Sequence, residues 1–124
     1  MITLTTLVTG ATSGAREAAI AAVIDVNVDT AIIVEGLPDT SNPFLHIANS
    51  PHIHIARIAP GCLCCIGSIT MRVTLNRMLQ RQPARLFISL ASSEHLTNIH
   101  NFLSQAPYNT LLSLTNIVDC KDKV

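Results

Sequence analysis

This sequence predicts an α/β fold, a doubly wound and mostly parallel sheet with helices on both faces, and three observations lead there. Hydrophobic residues make up 48% of the 124-residue chain and charged ones only 13%, about half the usual charged share. Aromatics are 3% with no Trp, so the core must be built from Ile, Leu, Val and Ala, which suits a buried parallel sheet under helices. Short β-branched runs alternate with amphipathic helical stretches. The length fits one domain, residues 1–124.

The elements follow in order. Ile2 to Thr9 is a β-branched run that reads as a buried strand ending at Gly10. Gly10 to Gly14 is a turn, and Ala15 to about Asp25 is an Ala-rich helix with Ala19, Ile20, Val23 and Ile24 on its apolar face. Thr30 to Glu35 is a second strand, and the polar, Pro-containing stretch Gly36 to Pro51 is an irregular connection. His52 to Ile58 alternates as a short strand and leads into the loop Pro60-Gly61-Cys62-Leu63-Cys64-Cys65. From Ser68, an N-cap residue type, to Arg81 the pattern is helical, with Met71, Leu75, Met78 and Leu79 together. Arg85 to Leu90 is a strand, Glu94 to Gln105 a helix, and Thr110 to Val118 the last strand, ending at Asp119.

Composition also excludes functions. Eight basic and eight acidic side chains give zero formal charge, so nothing provides the cationic surface that a nucleic acid backbone requires. The N-terminus has no basic region and is interrupted by Thr3, Thr5, Thr6 and Gly10, so it reads as a strand and not as a signal peptide. No stretch of about 20 residues is both uncharged and predominantly apolar, as spanning a bilayer requires, and no membrane partner is expected. The cytoplasm is the expected location, and reduced thiols there point to metal or redox chemistry before disulfides.

The turn Gly10-Ala11-Thr12-Ser13-Gly14 stands between a strand and a helix, where backbone N–H groups and the helix dipole attract anions. Val8 to Gly14 is similar to the opening of short-chain dehydrogenases, but Arg16 stands where that family has its third glycine. The only tyrosine, Tyr108, is followed four residues on by Leu112 and not by the lysine which that chemistry needs. In the register of a P-loop, Gly10 is followed by Ala15, Arg16 and Glu17. Arg16 then replaces the lysine that reaches the phosphates, and Glu17 the hydroxyl that ligates magnesium. Gly10, Gly14 and Arg16 are the candidate residues of this degenerate phosphate loop. A plain strand–helix turn without any ligand competes with it.

The cysteine loop is the most specific signal. Cys62, Cys64 and Cys65 place three thiols within four residues of a Pro-Gly loop. Thiolates select soft or borderline ions, with zinc and copper(I) foremost. Buried cysteines acting as small hydrophobes are the alternative. His52 and His54 lie two apart on a predicted strand, so both rings share a face opposite Ile53 and Ile55; either is a candidate fourth ligand, and a solvent-facing strand edge with two ordinary histidines is the favoured alternative.

Gly-Cys-x-Cys-Cys after a short strand and before a helix resembles the signature of the CobW-type P-loop GTPases, relatives of UreG and HypB that handle metal ions. Leu7-Val8-Thr9-Gly10, Val34-Glu35-Gly36, Pro83 to Ser93 and Asn116 to Cys120 fall in that family's order around it. The likeness spans nearly all of this chain but only the front of the family's GTPase domain, and it implies a P-loop NTPase-like fold truncated at the C-terminus. The family's acidic residue aligns with Ser89 and its glycine with Ser92, and no guanine-reading motif follows Asp119. The resemblance therefore implies a metal-binding protein without GTPase activity, lacking catalytic residues. Two other readings stay open: a non-catalytic scaffold for a protein partner, and a weak GTP binder using Arg16. A bare sheet edge is expected from the missing strands, and with it a homodimer.

Overall fold

A computed structural model of the chain describes residues 2–10, 12–36, 44, 47, 49–58, 69–90 and 93–120. The elements run β1 (Thr3–Gly10), α1 (Ser13–Val23), β2 (Thr30–Glu35), β3 (Ile53–Ile58), α2 (Ile69–Gln80), β4 (Arg85–Leu90), α3 (Ser93–Leu103), α4 (Tyr108–Leu111), β5 (Leu112–Leu114) and β6 (Val118–Cys120). All strand pairs are parallel, in the order β3-β2-β4-β1-β5, with β6 also on β1. This is the doubly wound α/β architecture expected from the sequence.

Strand periodicity divides the apolar residues between two cores. Leu7, Ala31, Ile33, Leu86, Ile88 and Leu90 point to one face and pack against Met71, Leu75 and Met78 of α2 and Ile99 and Leu103 of α3. Val8, Ile32, Val34 and Phe87 point to the other and meet Ile20 of α1, with Phe44 and Ile47 from the β2–β3 connection. Every residue of β2 is buried, so its run reads as continuously apolar and not as alternating. Tyr108 also joins the first core, and its hydroxyl donates to Asn76 Oδ1 at 2.9 Å. The α2 helix ends where Gln82 takes a left-handed φ of 51°, just before Pro83.

Two sequence expectations need correction. The strand foreseen over Thr110 to Val118 is interrupted: Thr110 and Leu111 belong to the turn of helix α4, and β5 and β6 are separate short strands. Both run along β1, where Thr5 pairs with Leu114 and Val8 with Val118, so the outer chain carries one residue more than β1 over that interval. An extra residue of this kind breaks a ladder. Thr115 takes up the slack, donating its N–H to Thr5 O at 2.8 Å and sharing a 2.6 Å hydroxyl contact with Thr6.

The second correction concerns α1. Its buried residues are Gly14, Arg16, Glu17 and Ile20, whereas Val23, expected on the apolar face, is exposed. The helix is rotated because its inward stripe begins with two charged side chains, a choice that hydrophobic periodicity cannot anticipate.

Leu75 has no solvent exposure, so Leu75→Ala should destabilise the fold by about 2–5 kcal/mol in urea denaturation. Leu111→Ala, at an exposed position, should stay within about 0.5 kcal/mol of the parent.

Candidate functional site

In an open α/β sheet ligands bind beyond the carboxyl ends of the strands, where successive connections depart to opposite faces. Here that point lies between β1 and β4: α1 leaves β1 on one face, and α3 follows β4 on the other. Gly10 ends β1 and opens the glycine turn, of which Ala11 is outside the described residues. Thr12 is the N-cap of α1, and its hydroxyl accepts from Ala15 N at 3.1 Å. Arg16 N donates to Thr12 O at 3.2 Å. The cap thus satisfies one helix-start amide, that of Ala15, and the Thr12 carbonyl accepts the first bond of the helix.

Side chains in the first turn of a helix lean back toward its N-terminus, which sends the Arg16 side chain into the crevice. Arg16 is only 3% exposed. Its Nε donates to Ser89 Oγ at 2.8 Å, its Nη1 to Gly10 O at 2.9 Å and its Nη2 to Glu35 O at 2.9 Å. One guanidinium therefore joins the ends of β1, β2 and β4. Gly36 follows with φ +119°, a conformation that L side chains rarely adopt, and a Cβ there would stand 3.5 Å from Arg16 Nη2.

Glu17 makes a second bracket. Its carboxylate, with a side chain 2% exposed, receives a bidentate pair from Arg57 of β3, at 2.7 and 3.1 Å. A fork of this geometry is the strongest common form of ion pair. Glu17 stands where a P-loop has its magnesium-ligating hydroxyl, and in this fold that position anchors α1 to β3.

Of the residues singled out from the sequence, Gly10, Gly14 and Arg16 come together at the crevice, while Cys62, Cys64, Cys65 and Ser92 lie outside the described residues. His54 lies on the α2 face of the sheet, lining a cavity of about 280 Å³ with Asp29, Ala31, Met78, Arg81 and Pro83. Its Nε2 is 3.4 Å from Arg81 Nη1. His52 precedes β3 and contacts Asp29 Oδ1 through Nδ1 at 2.7 Å, both side chains being well exposed. These imidazoles belong to the amino end of β3. The chain leaves for the cysteine loop from the other end, at Ile58, roughly 13 Å along the strand from His54. Among the described residues, no group of three or more His, Cys, Asp or Glu side chains is arranged to hold a metal ion. Cys120 closes β6 in register with Gly10, and Thr9 Oγ1 donates to Asp119 Oδ1 at 3.4 Å.

Ser89, Gly36 and Arg57 were not foreseen as partners in this region. One signal for Arg57 was available: it has the parity of Ile53 and Ile55, so a cation sits on the inward face of the strand and requires a counter-charge. No helix among the described residues is long and apolar enough to cross a membrane. The chain matches no protein-family model, no curated protein and no solved structure.

Arg57→Ala strands a buried carboxylate and should cost about 2–4 kcal/mol by chemical denaturation, below a fully enclosed pair because part of the Arg57 side chain stays in water. Replacing both partners by apolar residues, Arg57→Met with Glu17→Met, should recover much of that loss. Gly36→Ala should cost about 1–3 kcal/mol in the same assay through its backbone conformation.

Proposed function

We propose that this chain is a metal-binding protein of CobW-like descent that does not turn over GTP, and that Cys62, Cys64 and Cys65 form its working part. The observation that carries the reading is the clustering of three thiols in four residues, a donor set that fits zinc or copper(I). The occupation of the crevice supports the other half of the proposal. Phosphoryl transfer depends on a cation and a metal ligand directed at the phosphates. Arg16 and Glu17, at those two positions, are bonded to Ser89, Gly10, Glu35 and Arg57 instead. The placement of His52 and His54 at the far end of β3 favours a site built mainly from the thiolates of the loop.

A scaffold role is the second reading, and exposed aliphatic residues favour it. Ile2, Leu4, Ile117 and Val118 are all exposed beside the outer strands β5 and β6, and Leu4 shares the sheet face of Val8. An uncovered edge of this kind invites pairing. On this reading the chain forms a homodimer or docks on another protein.

Elemental analysis of protein purified under reducing conditions tests the metal reading. Near-stoichiometric zinc or copper is expected in the parent and its loss in the triple variant Cys62→Ser, Cys64→Ser, Cys65→Ser. Absence of metal from the parent after reconstitution would overturn it. Light scattering at micromolar concentration tests the second reading, which expects the mass of a dimer and fails on a monomer that captures no partner.

A further inference from the structure

We infer that the crevice at the carboxyl edge of the sheet is a guanidinium site that carries its own ligand, with Arg16 closing it from within. This goes beyond the metal reading and does not depend on it. A glycine turn before a helix ordinarily presents N–H donors to an anion. The groups that meet Arg16 here are acceptors: Ser89 Oγ, Gly10 O and Glu35 O, at 2.8, 2.9 and 2.9 Å. One amide of the turn, Ala15 N, is already bonded to the Thr12 hydroxyl. The polarity of the site is therefore inverted, and it selects a cation.

The shape of the site narrows the choice further. Nε, Nη1 and Nη2 each address a different oxygen, so the acceptors are spread around a planar fork. An ammonium is a compact point charge and does not reach all three from one position. An anion entering the crevice would have to displace a guanidinium buried to 3% exposure and leave three oxygens without their donor. Arg16 is in this sense an autoinhibitory contact against phosphate ligands.

The test is chemical rescue of Arg16→Ala, followed by thermal unfolding. In the parent, added guanidinium chloride acts only as a denaturant, and Tm falls from the first addition. In Arg16→Ala, Tm starts lower, rises with guanidinium at low concentration as the vacated site fills, and then falls. Methylammonium at the same concentrations should give no rise. A monotonic fall in Arg16→Ala, or an equal rise with methylammonium, overturns the inference. Should Arg16→Ala fail to fold, NMR of the parent decides. The Arg16 Nε–H should exchange slowly with solvent, and Ser89→Ala should speed that exchange and shift that resonance. Fast exchange in the folded parent also overturns the inference.

Discussion

Arg16 holds together three strands that are not consecutive in the chain, and the carboxyl edge of the sheet depends on its guanidinium. Gly10 ends β1, Glu35 ends β2 and Ser89 lies in β4, and a single planar cation satisfies an oxygen from each. Its neighbour Glu17 extends the same arrangement to β3 through Arg57. Two successive residues of one helix turn thus connect α1 to the four inner and outer strands from β3 to β1. Charged groups buried in this way are tolerable only when they are paired and hydrogen-bonded. That condition explains why α1 presents Arg16 and Glu17 inward and leaves Val23 in water.

The same arrangement changes what the glycine turn does. A strand, a glycine turn and a helix form a phosphate cradle when amides are directed outward and a cation waits nearby. In this chain Thr12 caps the Ala15 amide and the cation is turned inward. The strand and the helix flank the turn while the cation is spent on the fold. An internally locked carboxyl edge needs no bound ligand to order it.

The outer strands follow a different logic. Along β1 the neighbouring chain is one residue too long, and the ladder splits into β5 and β6 around Thr115. A hydrophobic pattern reports which residues prefer burial, but it does not report register, so a run from Thr110 to Val118 reads as a single strand. The exposed residues Ile117 and Val118 sit at that break and keep this side of the sheet open to contact.

The sequence by itself determined the α/β class, the positions of β1, β2, β3 and β4, and the inward residues of α2, because aliphatic periodicity is a local signal that burial simply confirms. It also marked the glycine turn and the cysteine loop, since both are written in contiguous residues. The role of Arg16 was not legible there: a cation at a phosphate-binding position has the same sequence whether it faces a ligand or the protein. Only the tertiary structure decided between them, by bringing Ser89, 73 residues away, and Glu35, 19 away, within hydrogen-bonding distance of one side chain. Glu17 and Arg57 are 40 residues apart and were paired in the same way. Long-range partners of charged groups are fixed by the winding of the sheet, which no short window of sequence contains.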